Sequence, residues 1–181
     1  MNVLDRLLAH DAWTTRQLLL RCRELSEEQL NTNFEIGDRS LIGTFEHIVS
    51  CMESHTDLLL GRRTRENYLA TKALRDDESI DGILTRLTIV SKDFSEFTLK
   101  VEREGRADDM CTDSDQSNRW PIGSVIAHII THSMHHRAQA MYILEKLGVE
   151  NVIEGDALGW EGQARGWGYS WSNSYGIIVA D

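Results

Sequence analysis

The chain has 181 residues, of which 41% are hydrophobic and 27% are charged, and its formal net charge is −10. This length suits one domain with a sizeable core, and the composition excludes disordered and collagen-like chains. Because an acidic protein repels a phosphate backbone and the basic residues form no concentrated patch, a nucleic-acid partner is not expected.

The three cysteines, at positions 22, 51 and 111, are odd in number and widely spaced. This pattern argues against a disulfide framework and favours a reducing compartment. No stretch of about eighteen apolar residues occurs, so neither a membrane span nor a signal peptide is expected. We therefore expect a cytoplasmic protein that does not bind a membrane.

Apolar residues recur at helical spacing in four long stretches, and the only proline, Pro121, lies where a first helical turn tolerates it. The predicted helices cover residues 3–25, 40–61, 79–101 and 121–147, with a short capped turn at 26–29. The charged segment 61–77 is predicted to be a loop. The polar and acidic segment 102–119 is predicted to be a long exposed connection.

Four long amphipathic helices need a common core, so we predict an all-α fold, an up-and-down antiparallel four-helix bundle over residues 1–148. Residues 149–181 form a C-terminal tail on the same domain, rich in glycine and large aromatic residues. We expect an ordered aromatic flap. Either Trp160 and Trp167 wall a ligand pocket, or they cover the outside of the bundle.

The fourth predicted helix carries four histidines within nine residues. Advancing by 100° per residue places His132 and His136 near the centre of the apolar stripe, one above the other. The same geometry places His128 and His135 on one flank and turns Arg137 away from the stripe. Burying two adjacent imidazoles without partners is costly, and a shared metal ion satisfies both. The i, i+4 spacing is also how one helix offers two nitrogens to one ion.

A third ligand must come from another helix, and the candidates are His10, His47, His55 and Cys51. His55 lies nearer the centre of the second helix's stripe, whereas His47 lies on its flank. Cys51, one turn after His47, is interpreted first as a small core residue. The residue pattern alone leaves His47 and His55 as rivals. Gln139, near the stripe, is a candidate for orienting a ligand imidazole.

Three segments resemble the DinB-like family, the superfamily of helical bundles that includes bacterial thiol S-transferases and a maleylpyruvate isomerase. They are the stretch HDAW at 10–13, SLIGTFEHIV at 40–49 and HIITHSMHHRAQ at 128–139. In that family a histidine in the middle of the second helix joins two histidines of the fourth helix. The resemblance covers most of residues 3–148 and implies His47, His132 and His136 as the metal ligands.

Three neutral imidazoles leave a bound metal with its full positive charge and at least one open position, which is typical of a catalytic site. We expect one divalent transition metal, with zinc or nickel favoured and iron or manganese as alternatives, because imidazole suits several such metals. For an enzyme of the thiol-transferase type, the resemblance implies a small-molecule substrate or thiol activated at the metal.

Two alternatives to an enzyme stay open, and no catalytic residue is assigned. One is a metal-binding or stress-related interaction module without turnover. The other is a plain bundle whose histidines hydrogen-bond within the core. The absence of an HExxH motif argues against a zinc protease.

An outward-leaning apolar ridge is predicted on the second helix, formed by Val49, Thr56 and Leu60. Exposed apolar patches often mark interfaces between proteins. We therefore expect a homodimer.

Overall fold

A computed structural model describes residues 1–36, 39–62, 77–113 and 116–167. Over these residues the chain is mostly helical, which confirms the predicted all-α class. The elements in chain order are α1 (Val3–Cys22), α2 (Glu27–Asn31), α3 (Leu41–Leu59), α4 (Ile80–Glu104), β1 (Met110–Thr112), β2 (Arg119–Pro121), α5 (Ile122–Lys146) and α6 (Ala157–Ala164). The loop predicted for 61–77 lies mostly outside the described residues. Among the described helices, none is long and apolar enough to cross a membrane.

Polar side chains fix where the long helices begin. Asn2, Ser40 and Ser79 each accept a hydrogen bond from a backbone N–H in the first turn of α1, α3 and α4 respectively. Each cap satisfies a donor that the helix itself leaves unpaired and contributes about 1 kcal/mol. At the other end of α4, Gly105 has φ +67°, a left-handed conformation that stops a helix and favours glycine.

The four long helices share one apolar core, in which α1 and α3 each pack against both α4 and α5. Side-chain contacts show their relative directions. The antiparallel contacts are Asn2–Glu102 and Arg23–Asp81 between α1 and α4, and His47–His132 and His55–His128 between α3 and α5. The parallel contacts are Glu46–Arg86 and Arg62–Asp93 between α3 and α4, and Asp11–Arg137 and Arg21–Glu150 between α1 and α5.

The prediction that every neighbouring helix pair is antiparallel is therefore wrong for α3 with α4 and for α1 with α5. The helices run in the order up, down, down, up along the chain. An apolar stripe shows which face of a helix is buried, but it carries no information on the direction of the neighbour.

The buried face of α5 is centred on Ser133 and Arg137, which are 1% and 2% exposed. His132 and His136 lie beside this line and are half-buried. Their predicted place near the centre of the stripe is thus wrong by one position, and so is the prediction that Arg137 points away from the core. The difference places the two imidazoles where one side of each ring meets solvent.

Arg137 is buried because a carboxylate on α1 compensates its charge. Its guanidinium donates to Asp11 and, over 3.1 Å, to the hydroxyl of Thr15. The side chains of Arg137 and Asp11 are 3% and 2% exposed. A helical projection that treats every arginine as solvated misses such a pair, since the partner lies on another helix.

The segment between α4 and α5 is more ordered than predicted. α4 continues to Glu104, and β1 then pairs antiparallel with β2, with Met110 opposite Pro121 and Thr112 opposite Arg119. The exposure predicted for 102–119 is confirmed for most of its described residues, but the connection also contains the last turn of α4 and two short strands that were not predicted. Each strand has only three residues, which is too short for a hydrophobic alternation to reveal it.

The described part of the tail packs against α1. Trp160 is 6% exposed, with its ring against His10 on α1, and Glu161 pairs with Arg6 at 3.0 Å. Trp167 is 65% exposed. These contacts favour the interpretation in which the tail covers the helices over the one in which Trp160 and Trp167 wall a metal pocket. Residues 168–181, with the remaining aromatics of the tail, lie outside the described residues.

Two of the three residues of the apolar ridge predicted on the second helix lie in the core, and the third, Leu60, is partly exposed. Val49 and Thr56 are 0% and 1% exposed. α3 packs against two long helices, α4 and α5, and therefore buries a wider face than a single stripe. The homodimer was expected because of this ridge. It stays a prediction, and the ridge no longer supports it.

Replacing Arg137 by methionine should lower the free energy of unfolding by about 3–5 kcal/mol, because Asp11 would be left buried without a partner for its charge. Denaturant unfolding followed by circular dichroism measures this change. The double variant Asp11→Leu/Arg137→Met is the matched control. It leaves no unpaired charge, so most of the lost stability should return. A single variant as stable as the parent would contradict the role given to this pair.

Candidate metal centre

Three histidines converge between α3 and α5. His47 comes from α3, while His132 and His136 come from successive turns of α5. Nε2 of His47 lies 3.1 Å from Nε2 of His132, and the three ring centroids are 4.4 to 4.9 Å apart. One possible ligand atom of each residue lies within 4.8 Å of the other two. The structure thus brings together the three residues predicted from the sequence, and their role as ligands stays a prediction.

The spacing of the nitrogens fits a single metal ion. Tetrahedral coordination with zinc–nitrogen distances of about 2.0–2.1 Å separates two ligand nitrogens by about 3.4 Å. The 3.1 Å between the Nε2 atoms of His47 and His132 is close to that value. A proton can bridge only two of the rings, whereas one ion accepts a lone pair from all three. The donor set therefore suits a divalent transition metal.

Burial keeps these imidazoles in the neutral form that binds metals. It is the largest cause that lowers the pKa of His132 to about 4, and the neighbouring histidines lower it further. The pKa values of His47 and His136 are also lowered, mainly by burial, and the charge of Arg39 contributes to both. Since a protonated imidazole has no lone pair to offer, the lowered pKa values leave the nitrogens available at neutral pH.

Gln139 orients one of the three rings. Its Oε1 atom lies 2.7 Å from Nδ1 of His136, so the Nδ1–H group donates to it and Nε2 stays available for a metal. The amide nitrogen of Gln139, Nε2, also lies 3.3 Å from Nε2 of His135. A hydrogen bond from the second ring nitrogen is the usual way in which proteins fix the orientation of a histidine ligand. The contact agrees with the orienting role predicted for Gln139.

The other candidates for a third ligand lie elsewhere. Cys51 and His55 form a separate group with His128, in which Sγ of Cys51 is 3.4 Å from Nδ1 of His55. His10 lies on α1, and its ring hydrogen-bonds the backbone carbonyl of Gly155. The structure therefore places His47, and not its rival His55, beside the histidine pair of α5.

A cavity of about 1020 Å³ lies beside the separate group that contains His55 and His128. Its lining includes His55, His128, Arg119 and Trp120. The three predicted ligands are not among the lining residues, but the ring of His128 has its centroid 5.3 Å from that of His132. The cavity was missed because part of its wall is the hairpin, which the sequence pattern did not reveal.

The profile of the DinB family matches residues 1–158, which includes all the histidines described above and the start of α6. A search of curated proteins gives no match to this chain.

Each of the three variants His47→Ala, His132→Ala and His136→Ala should lose about one equivalent of bound metal, because the two remaining imidazoles cannot hold the ion tightly. Elemental analysis of the purified, dialysed variants measures the stoichiometry. The control is His135→Ala, which removes an exposed histidine of the same helix and should leave the metal content unchanged. Full metal content in all three ligand variants would rule out the site.

Proposed function

This chain belongs to the DinB family, and we propose that it is a metal-dependent enzyme whose catalytic divalent metal is held by His47, His132 and His136. The observation that carries the proposal is the convergence of three neutral, half-buried imidazoles from two helices. Zinc and nickel are the first metals to test, followed by iron and manganese.

Bound there, the metal would supply a positive charge that lowers the pKa of a coordinated thiol or water. The protein contributes three ligands that carry no charge, so the ion would keep its full Lewis acidity. The core of α3 and α5 excludes water from one side of the rings, and Gln139 holds the His136 ring in place. Three protein ligands leave at least one position for a substrate.

We infer a small-molecule thiol as the substrate and thiol S-transfer as the reaction. A sulfur–carbon bond would form between the thiolate and an electrophilic carbon, the leaving group would depart with its electron pair, and the thiol proton would pass to solvent. The cavity lined by His128, whose ring neighbours that of His132, supports a small-molecule substrate. It also favours an enzyme over a metal-binding module without turnover. The charge of Arg39, close to His47 and His136, suits a thiol that carries a carboxylate.

We also propose a domain organisation, a compartment and an oligomeric state for the protein. Residues 1–148 would form one four-helix bundle, with residues 149–181 on the same domain, supported by the shared core and by the packing of α6 on α1. The protein would act in the cytoplasm, which suits its three free cysteines. A homodimer is retained as a proposal that sedimentation at micromolar concentration would test.

Turnover is tested with protein loaded with zinc or nickel, a panel of cysteine, glutathione and coenzyme A, and a fluorogenic electrophile. We expect at least one thiol to react tenfold or more above the rate without protein. The rate should fall to background in His47→Ala and persist in His135→Ala. If the folded, metal-loaded protein accelerates none of these reactions, the proposal of an enzyme is contradicted. The alternative of a metal-binding module without turnover would then be favoured.

A further inference from the structure

A second group of metal-binding side chains lies on α3 and α5, beside the cavity. Cys51 and His55 are on successive turns of α3, and His128 is on α5. Sγ of Cys51 is 3.4 Å from Nδ1 of His55, and the rings of His55 and His128 have centroids 5.0 Å apart. One possible ligand atom of each residue lies within 4.8 Å of the other two.

We infer that Cys51, His55 and His128 form a second metal site, which takes a thiophilic divalent ion such as zinc. The two groups mirror each other across the antiparallel helix pair. The first takes one residue from α3 and two, four positions apart, from α5. The second takes two residues, four positions apart, from α3 and one from α5. This helix pair therefore provides the same arrangement twice. In each group, one helix contributes two ligands that are one turn apart, and the neighbouring helix contributes the third.

A hydrogen bond to the backbone determines which nitrogen of His55 can bind an ion. Its Nδ1 atom lies 2.8 Å from the carbonyl oxygen of Cys51, so Nδ1–H donates to the backbone and Nε2 carries the free lone pair. Such a hydrogen bond to a backbone carbonyl is a common support for a zinc-binding histidine. The two α3 ligands are therefore linked both by helical spacing and by a hydrogen bond.

The chemistry of the donors differs from that of the three-histidine site. Burial raises the pKa of the Cys51 thiol, so without an ion its sulfur is protonated. Binding would replace the thiol proton by the metal and release that proton to solvent. A thiolate and two imidazoles carry one negative charge, which favours soft ions such as zinc over magnesium or calcium. Because His55 and His128 line the cavity, an ion can enter from solvent.

The two groups are too far apart to share one ion. The mean positions of their ligands differ by six residues along α3 and by six along α5, which corresponds to about 9 Å of helix. In two-metal centres the ions lie about 3.5–4 Å apart. The protein should therefore bind two ions independently, and the loss of one should leave the other in place.

Titration of the reduced protein with Co²⁺ tests the second site, because a thiolate bound to Co²⁺ produces a near-ultraviolet charge-transfer band that imidazole ligands do not. We expect two equivalents of Co²⁺ and this band in the parent protein. Cys51→Ser should lose one equivalent and the band. His47→Ala should lose the other equivalent and keep the band. Cys111→Ser, which removes the other partly exposed cysteine, should keep both.

A band that survives in Cys51→Ser, or a parent protein that binds one equivalent without the band, would overturn the second site. If circular dichroism shows that Cys51→Ser does not fold, His128→Ala is the alternative variant, because it changes an exposed residue of the same group. In this variant the Co²⁺ affinity, measured from the growth of the charge-transfer band, should fall at least tenfold. If His47→Ala leaves the stoichiometry unchanged while the band persists, the three-histidine site fails and the second site stands.

Discussion

Imidazole rings face one another across the contact between α3 and α5, and a proton shared by His47 and His132 cannot also serve the lone pair of His136. His47 lies opposite His132 and His136, and His55 lies opposite His128. An unsatisfied buried polar group costs about 1–3 kcal/mol, and partial burial already lowers the pKa values of several of these rings. Protonation would relieve the need for a partner only by placing like charges side by side. A divalent cation satisfies the lone pairs without that repulsion.

Two buried arginines hold the helices that carry these rings. Arg137, next in sequence to a predicted ligand, pairs with Asp11 on α1 and so fixes the rotation of α5. Arg86 on α4 is 2% exposed and binds Glu46, which precedes His47, and also Glu53. Buried ion pairs contribute little net stability but penalise any rotation that separates them. They therefore act as positioning interactions for the histidines on the adjoining helix faces.

Periodicity and caps were sufficient to predict the four long helices, since both signals are local to each helix. His132 and His136 followed from their i, i+4 spacing, but only the family resemblance selected His47 over His55. A projection of one helix has no information on the register or direction of its neighbour. For the same reason the sequence did not reveal the burial of Arg137, the parallel helix pairs or the grouping of His128 with residues of α3. These features depend on which residues meet across an interface.

Anomalous diffraction at the metal absorption edge, from crystals of the zinc- or nickel-loaded protein, tests the central claim most directly. The account predicts a strong peak between α3 and α5, within about 2.1 Å of one nitrogen from each of His47, His132 and His136. Metal-loaded crystals with no peak at these three rings, or with the metal held by other residues only, would contradict it.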